Sequence, residues 1–385
     1  MRKSFCVIAG LLLAFSSVFA QQTSSDSIAF RRAQHLRHGI NASEWFAQRR
    51  TYTPEFLQQY TTADDIHLMR RLGFDHVRLS MDPDPLVPCF NQRPDALPSN
   101  DDACAYATLL DKAVDAILAD GMAVIVDVHP SSEFKKTLAT DSSAPQKFAG
   151  FWSKLAARYA NRDPERLFFE VCNEPELQDE YRWMGIQETA VEAIRRAAPQ
   201  HTIILAGARY SDIDELLNMQ PLTDRNLIYN FHFYTPHIFT HQGASWGEYE
   251  WTRIHGLPYP ATHESVAQVQ ATITNPNTRY HVDQYALSAW NAQHINGEIA
   301  HAAEWGRAHN VPITCNEFGV YRAYSDPRSR VQWIEDTRRA LETNHIGWTM
   351  WDYRGGFGVV TKNTDGTSTP DENVVRALGL TAAPK

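Results

Sequence analysis

The sequence predicts an α/β fold, a (β/α)8 TIM barrel with a long insertion after strand six. Short apolar segments alternate with stretches of helical spacing over about 320 residues, and there are eight such apolar segments. Nearly every apolar segment ends in polar or aromatic residues. In a barrel these strand ends meet at one face, where active sites lie. Because both observations fit a closed barrel, an open doubly wound sheet is the second choice.

The eight short apolar segments are the predicted strands. In chain order they are His35–Asn41, His76–Met81, Ala123–His129, Leu167–Glu174, Thr202–Gly207, Leu227–Tyr234, Pro312–Phe318 and Gly347–Tyr353. Residues 21–34 form a polar lead-in before the first strand. Because we find no internal repeat, Ser/Pro linker or appended module, we expect residues 21–385 to form a single domain.

Apolar residues with helical spacing occupy the segments between the strands. In the segment 106–120, Leu110, Val114 and Leu118 fall on one face. Gly121 follows as a stop signal. The predicted helices are Ala63–Leu72, Tyr106–Asp120, Gln146–Ala160, Glu180–Ala198, Ile295–His309 and Arg328–Thr343.

The connection after strand six is much longer than the others. It spans about 80 residues, whereas most strands follow one another at intervals of about 25 to 47 residues. Its aromatic residues include Phe239, Trp246, Tyr249, Trp251 and Tyr259. A long loop on the catalytic face usually shapes substrate binding. The same aromatics could instead form a small core within the insertion, and the sequence favours neither interpretation.

Composition and charge restrict the possible partners. The chain of 385 residues is 43% hydrophobic and 21% charged, as is typical of a globular protein. Its net charge is −9 and no basic cluster occurs, so nucleic acid and anionic membranes are poor candidates. The 10 Trp, 15 Tyr and 18 Phe would suit a groove that stacks on sugar rings. From composition alone, a large core is the simpler explanation.

The first 20 residues have the pattern of a secretory signal peptide. Arg2 and Lys3 precede an apolar run from Phe5 to Phe15, and Val18 and Ala20 stand where a signal peptidase reads small residues. The run is too short to span a bilayer. We therefore predict a signal peptide at residues 1–20 and a secreted or periplasmic protein without a membrane anchor.

Export would permit disulfide bonds in the mature chain. Cys89 and Cys104 flank Asn91–Asp102, a segment rich in Pro, Asn and Asp, which suggests an exposed loop closed by a bridge. Such a bridge would contribute roughly 3 kcal/mol by the loop-entropy relation. Cys172 and Cys315 lie inside strand-like segments, so we predict that they are free, buried thiols.

Two predicted strands end in a glutamate that follows an asparagine. Strand four ends in Asn173-Glu174-Pro175, and strand seven contains Asn316-Glu317-Phe318. Pro175 cannot continue a central strand, so Glu174 lies at the strand end. Hydrolysis of a glycosidic bond with retention needs two carboxylates about 5–5.5 Å apart. One such tripeptide is weak support, but the pair at strands four and seven is stronger.

With these motifs the chain resembles glycoside hydrolase family 5, the cellulase-like retaining β-glycosidases of clan A, from about Leu36 to Gly355. The family's functional positions match residues at the ends of strands two, three, four, six, seven and eight. They are Arg78, His129, Asn173, Glu174, His232, Tyr234, Glu317 and Trp351. The resemblance implies Glu317 as nucleophile and Glu174 as acid/base, with the other six binding substrate. It also implies a cis peptide between Trp351 and Asp352.

The expected roles follow from the charge that each group must carry. Glu317 must be ionised to attack the anomeric carbon, and Arg78 and Tyr234 could favour its anion. Glu174 must be protonated first and act as base later. Asn173 could bind the sugar 2-hydroxyl. Three further residues complete the expected site: His129 and His232, which would hold hydroxyls or orient the carboxylates, and Trp351, which would form a flat floor.

Five of the six binding assignments have a structural alternative. Arg78 could merely neutralise a buried acid such as Glu170. The two histidines and the tryptophan could be core residues, and Asn173 could cap the strand end. Asn173 and Glu174 are adjacent, so strict alternation would send them to opposite faces. Both reach one site only if the strand end twists or bulges.

The leading functional hypothesis is a secreted endo-β-1,4-glucanase that acts on a β-linked polysaccharide or oligosaccharide as a monomer. A β-mannanase or another β-glucan hydrolase of the same family is the alternative. A metal-dependent hydrolase fits poorly, because strand one lacks a His-x-His pair and no His-Glu-x-x-His occurs. We therefore expect no metal and no cofactor. A carbohydrate-binding protein without catalysis would normally lack one of the two carboxylates.

Overall fold

A computed structural model of the chain describes residues 27–92, 104–246 and 250–381. The predicted signal peptide, Tyr249 and most of the predicted loop between Cys89 and Cys104 lie outside the described residues.

The core of the molecule is a closed barrel of eight parallel strands in the order β1 to β8. The barrel closes where β1 pairs with β8, with His38 opposite Trp348. The strands are β1 His38–Phe46, β2 His76–Met81, β3 Ala123–Val128, β4 Leu167–Glu170, β5 Thr202–Ala206, β6 Leu227–Phe233, β7 Ile313–Phe318 and β8 Gly347–Met350. A separate two-stranded sheet, β9 Val360–Lys362 with β10 Ser368–Pro370, follows the barrel. The predicted fold class is confirmed.

Helices surround the barrel and form most of the insertion. They are α1 Ile28–Ala33, α2 Pro54–Tyr60, α3 Ala63–Leu72, α4 Leu86–Gln92, α5 Ala105–Ala119, α6 Ser132–Thr140, α7 Ala144–Tyr159, α8 Glu180–Ala197, α9 Ile213–Asn218, α10 His237–Thr240, α11 His263–Thr272, α12 Pro276–Leu287, α13 Ala292–His309, α14 Pro327–Thr343 and α15 Glu372–Ala377. The six predicted helices match α3, α5, α7, α8, α13 and α14 to within a few residues.

Buried tryptophans attach the outer helices to the strand ends. Trp152 of α7 donates its indole N–H to the carbonyl of Val171 at 3.0 Å. Trp183 of α8 donates to the carbonyl of Ala206 at 2.9 Å. Both indoles are fully buried, so each adds a large apolar contact to a hydrogen bond that satisfies a buried carbonyl. This packing helps to position the carboxyl ends of β4 and β5.

The first strand begins later than predicted. The polar lead-in contains α1, whose first turn is capped by the Ser27 side chain, and residues 34–37 connect this helix to β1. His35 therefore precedes the strand, and β1 extends instead to Phe46. The apolar pattern alone placed the strand about three residues too early, because it gave no separate signal for the short helix.

The fourth strand also ends differently from the prediction, and this difference shapes the site. The regular strand stops at Glu170, although Val171 and Asn173 still donate their backbone N–H groups to Ile204 and Val128 at 3.1 and 2.8 Å. The chain then turns at Glu174, which has a left-handed φ of 40°. Asn173 and Glu174 can reach the same site only if the side chains stop alternating between the two faces of the strand. The turn just beyond the strand provides this change.

The insertion after β6 is folded rather than a loop. It contains α10, α11 and α12 and a short 3-10 helix, Trp251–Arg253. Phe239 packs against Tyr259 and Tyr285 with ring centroids 5.6 and 6.4 Å apart, so the insertion has its own aromatic core. Trp246, in contrast, is 59% exposed. The interpretation as a small core of the insertion therefore holds for Phe239 and Tyr259, and a role of Trp246 in substrate binding stays a prediction.

The cysteine predictions are confirmed. Cys89 in α4 and Cys104 at the start of α5 are bonded, with Cα atoms 5.1 Å apart. Cys172 and Cys315 are free and buried. Among the helices of residues 27–92, 104–246 and 250–381, none has the length and apolar character needed to cross a membrane.

Candidate active site

All eight predicted site residues lie at the carboxyl ends of the barrel strands. Arg78, His232 and Glu317 stand within strands, and the others immediately follow strands. In order they are Arg78 on β2, His129 after β3, Asn173 and Glu174 after β4, His232 on β6, Tyr234 after β6, Glu317 on β7 and Trp351 after β8. This is the face where the loops of a (β/α)8 barrel build active sites.

Glu174 and Glu317 form a close carboxylate pair across the barrel mouth. His232 lies between them, with its Nδ1 2.9 Å from Glu174 Oε1 and 3.6 Å from Glu317 Oε2. An oxygen of each carboxylate and a nitrogen of His232 all lie within 4.8 Å of one another. This separation fits a retaining pair, at about 5–5.5 Å, better than an inverting pair, at about 6.5–9.5 Å.

Both oxygens of Glu317 accept strong hydrogen bonds. Arg78 donates to Oε1 at 2.6 Å, and the Tyr234 hydroxyl donates to Oε2 at 2.8 Å. Burial and the neighbouring glutamates hold the pKa of Tyr234 well above its usual value, so its hydroxyl remains a donor. A guanidinium and a phenol therefore orient the Glu317 carboxylate by one donor on each of its oxygens.

Arg78 is fully buried and holds more than one carboxylate. It forms a two-point contact with Glu170 at 2.8 and 2.9 Å and lies 3.1 Å from Asp127. Burial disfavours its charge, but Asp127, Glu170 and Glu317 outweigh this and raise the pKa of Arg78 above its ordinary value. Neutralisation of Glu170 and contact with Glu317, which were alternatives from the sequence, therefore occur together.

The residues that support Arg78 were largely missed by motif reasoning. Asn316 donates to Glu170 at 2.7 Å, and Arg78 donates to the Asn41 side chain at 3.0 Å. Glu170 and Asp127 are acids inside otherwise apolar, fully buried strands. That position was the available signal, because a buried carboxylate needs a partner of opposite charge or several hydrogen bonds.

Glu174 has a different environment from Glu317. Its side chain is 25% exposed and reaches the mouth of the barrel. Burial raises the pKa of Glu174, while the charge of Lys135 is the largest effect that opposes the rise. The two carboxylates therefore differ: Glu317 accepts two strong hydrogen bonds, whereas the raised pKa of Glu174 favours its protonated form.

His129 is held as a neutral ring. Its Nδ1 lies 3.0 Å from Asp127 Oδ2, and its Nε2 lies 3.3 Å from the Asn173 amide nitrogen. Burial lowers the pKa of His129 to about 3. The neutral ring therefore donates from Nδ1 and accepts at Nε2, and Arg78 fixes the other end of the Asn173 amide by donating to its oxygen at 2.9 Å.

Aromatic side chains line one side of the site. Trp351 packs with Tyr234 and Phe357, and its ring lies nearly parallel to that of His129 with centroids 5.8 Å apart. The Trp351–Asp352 peptide is cis, as predicted. Tyr321 contacts Phe357 at 5.7 Å, and Trp246 of the insertion meets Tyr321 edge-on at 4.8 Å. The insertion therefore extends the aromatic lining away from Trp351.

The positions of Glu174, His232 and Glu317 also satisfy the spacing of metal ligands, within the described part of the chain. Glu317, however, already accepts hydrogen bonds from Arg78 and Tyr234, and Arg78 brings a full positive charge to within 2.6 Å. A second cation at this point would meet that charge. The hydrogen bonds therefore favour a carboxylate pair for proton transfer and nucleophilic attack.

A (β/α)8 barrel with two carboxylates paired at its carboxyl end has the arrangement that a retaining glycoside hydrolase requires. The family model for cellulases, glycosyl hydrolase family 5, matches residues 39–356, and the chain belongs to this family.

Curated relatives agree with this assignment, and a solved structure shares the fold. Endoglucanase C of Acetivibrio thermocellus is 30% identical over 325 residues, which cover 83% of this chain and 91% of that protein. Endoglucanase 3 of Fibrobacter succinogenes is 29% identical over 353 residues, covering 89% of this chain and 53% of that protein. The fold is similar to that of Thermotoga maritima Cel5A in complex with cellobiose, with a TM-score of 0.70 at 24% identity, covering 91% of this chain and 99% of that one.

Proposed function

We propose that the protein is a secreted or periplasmic endo-β-1,4-glucanase that acts with retention of configuration. The observation that carries the proposal is a pair of carboxylates that are held in different environments, with an oxygen of one within 4.8 Å of an oxygen of the other. Glu317 accepts hydrogen bonds from Arg78 and Tyr234, whereas burial raises the pKa of Glu174. Glu317 is thus suited to be the nucleophile and Glu174 the acid/base.

In the first step, Glu317 attacks the anomeric carbon as the bond to the leaving oxygen breaks. Glu174 transfers its proton to that oxygen, so the leaving sugar departs as a neutral alcohol. An ester then joins the sugar to Glu317. Asn173, whose amide is held by Arg78 and His129, is positioned to bind the sugar 2-hydroxyl, where hydrogen bonds strengthen in the transition state.

In the second step, a water molecule replaces the departed sugar. Formation of the ester removes the negative charge of Glu317, so the pKa of Glu174 falls and its carboxylate can accept a proton from water. As Glu174 takes the proton, the water oxygen attacks the anomeric carbon. The ester bond breaks, and Glu317 leaves as a carboxylate. Tyr234 and Arg78 are placed to stabilise that carboxylate as it forms.

The substrate assignment draws on the relatives, several of which are named endoglucanases. A β-mannanase or another β-glucan hydrolase is the second candidate. Thermotoga maritima Cel5A, which shares the fold, is also known in complex with mannotriose, with a TM-score of 0.68. We expect a monomer, because the proposed site is built from one chain.

The test combines a substrate panel with carboxylate variants. We expect release of reducing sugar from soluble β-1,4-glucan above that from mannan or xylan, and losses of orders of magnitude in Glu174→Ala and Glu317→Ala. On an aryl β-cellobioside with a good leaving group, azide should restore Glu174→Ala and give the β-glycosyl azide, because azide replaces the missing base.

The exposed Glu133 of α6 supplies the control, since Glu133→Ala should keep full activity. An α-glycosyl azide from Glu174→Ala would show that the two roles are exchanged. Undiminished glucan hydrolysis by either carboxylate variant would contradict the mechanism, and a preference for mannan would replace the proposed substrate with the second candidate.

A further inference from the structure

Lys135 is a buried cation beside the proposed acid/base, and the mechanism above gives it no role. It lies on α6 and its side chain is only 5% exposed. Its Nζ lies 2.9 Å from Glu176 Oε1, and the Ser132 hydroxyl donates to the same oxygen at 3.2 Å. Burial of an ammonium group is costly, so this position needs a specific partner and suggests a specific use.

The partner of Lys135 belongs to the turn that carries Glu174. Glu174 and Glu176 both have left-handed backbone conformations, with φ of 40° and 60°, and Pro175 stands between them. Such conformations are unfavourable for residues other than glycine and persist only where surrounding contacts impose them. The Glu176 side chain is held by α6, and its backbone N–H donates to the carbonyl of Arg209 at 2.7 Å. The turn is therefore fastened on two sides.

Charged and titratable groups from several elements face the Glu174 carboxylate. They are Arg78 of β2, His129 after β3, Lys135 of α6, His232 of β6, Tyr234 after β6, His237 of α10 and Glu317 of β7. Burial lowers the pKa of His129 and of His232, so both rings are neutral near pH 7. Arg78 is engaged by three other carboxylates. Lys135 is left as the strongest cationic neighbour. The titratable groups around Lys135 itself are Glu174, Glu176 and Asp127, with the thiol of Cys172, whose pKa burial raises so that it stays neutral.

We propose that Lys135 is a positioning residue for Glu174, which fixes the 174–176 turn through Glu176 and directs a constant positive charge at the acid/base carboxylate. This inference rests on the proposed function. Because Lys135 bonds to Glu176, it leaves the Glu174 oxygens available to the leaving group and to water. The charge of Lys135 favours the Glu174 carboxylate, which must accept a proton from water in the second step. Unlike a histidine, Lys135 keeps its proton near pH 7.

The experiment uses two variants of the pair that change its charge in opposite directions. Lys135→Met removes a cation near Glu174, so the basic limb of the pH profile of kcat/KM should move to higher pH. Glu176→Gln removes an anion, so the same limb should move to lower pH. Lys136→Met is the matched control, because Lys136 is the next residue of α6, is 70% exposed and should leave the profile unchanged.

The leaving group supplies a second readout. We expect Lys135→Met to lose about tenfold or more in kcat/KM for glucan, which needs protonation of a poor leaving group, and to stay within about twofold in kcat/KM for an aryl cellobioside with a good leaving group, because kcat/KM reports the step in which the leaving group departs. A purely structural role would lower the melting temperature and affect both substrates alike. If Lys135→Met does not fold, the nearly isosteric Glu176→Gln variant still tests the direction of the pH shift.

The inference would be overturned if the basic limb of the kcat/KM profile stayed in place in Lys135→Met and Glu176→Gln, or if it moved in the same direction in both. Glu174→Gln separates this failure from failure of the proposed function. If Glu174→Gln shows the dependence on the leaving group and Lys135→Met does not, only the role of Lys135 is wrong. If Glu174→Gln shows no such dependence, the assignment of the acid/base is wrong, and the inference falls with it.

Discussion

Arg78 distributes its hydrogen bonds so that the two glutamates of the site differ. One of its N–H groups reaches Glu317, and the others hold Glu170, Asn41 and Asn173. Glu174 receives none of them and contacts a histidine that burial keeps neutral. Two chemically identical side chains therefore have different hydrogen-bond partners, and burial raises the pKa of Glu174, which suits it to act as the acid beside a nucleophile.

Motif reasoning predicted the residues that face substrate but gave little about those behind them. Glu174 and Glu317 follow recognisable sequence patterns at strand ends. The contact between Arg78 and Glu170 joins residues 92 positions apart, and the contact between Arg78 and Glu317 joins residues 239 apart. Such pairings depend on strand register in the closed barrel, which the local sequence does not specify. The presence of Glu170 and Asp127 inside apolar strands was the local signal for a buried partner of opposite charge.

Asp352 gives a prediction at the scale of one residue. It is buried, and Ser43 and the backbone N–H of Gly355 donate to its carboxylate. Burial raises the pKa of Asp352 to about 6, against the hydrogen bond from Ser43, which lowers it. A carboxyl group whose pKa is raised on folding stabilises the native state at low pH, and this contribution is lost as pH rises through about 6.

Asp352→Asn should therefore gain stability relative to the parent protein as pH rises. The gain between pH 4.5 and pH 8 should be about 2 kcal/mol, because the amide carries no charge to bury and pH 4.5 already lies above the usual carboxyl pKa of 3.8. Thermal melting of the variant and the parent protein at pH 4.5 and pH 8 measures the gain as the change, between the two pH values, in the stability difference between the two proteins. Asp64→Asn, at an exposed position in the first turn of α3, is the control. A difference that is constant with pH would contradict the prediction.

At the scale of elements, the barrel helices were predicted more reliably than the helices of the insertion. α3 was located to the residue, since its apolar face is clear, Thr62 caps its start and Gly73 ends it. In α11, by contrast, Val266 is the buried residue, so the helical period is nearly absent from the sequence. The start signals were present at Thr262 and Asn275, but caps without an amphipathic face are weak indicators.

The insertion gives a prediction about substrate length. Trp246 is 59% exposed and meets Tyr321 edge-on, beyond the aromatic cluster around Trp351. A sugar unit distant from the scissile bond can stack there, so Trp246→Ala should raise KM for long oligosaccharides by about tenfold, the equivalent of about 1.4 kcal/mol. KM for cellobiosides and the melting temperature should remain nearly unchanged.

Tyr280 of α12 is a matched control, because it is 57% exposed in the same insertion and its ring contact is with His281. Tyr280→Ala should leave KM unchanged for short and long substrates. Kinetics on cellotriose through cellohexaose distinguish the two variants. An effect of Trp246→Ala that is equal for all chain lengths would place the tryptophan outside the substrate path.

At the scale of the whole molecule, the number and order of the strands were the properties that the sequence predicted best. Parallel strands in a barrel are buried on both faces, so each appears as a short apolar run that is easy to count. Closure joins the two ends of the barrel sequence, with β1 paired to β8. The strand ends therefore converge whatever the details of the loops, and residues from β2 to β8 meet at one site.

The last prediction concerns the compartment in which the whole chain matures. The disulfide between Cys89 and Cys104 requires an oxidising environment, and residues 1–20 have the pattern of an export signal. We expect cleavage after Ala20, which removes two positive charges and no acid and changes the net charge from −9 to −11. Expression in a bacterium with a periplasm should yield a tryptic peptide from Gln21 to Arg31, together with an oxidised Cys89–Cys104 pair.

Replacing Leu12 in the apolar run with Arg should keep the chain in the cytoplasm with both thiols reduced. Recovery of uncleaved protein from the periplasm, or a free Cys89 there, would contradict this prediction without affecting the proposed chemistry.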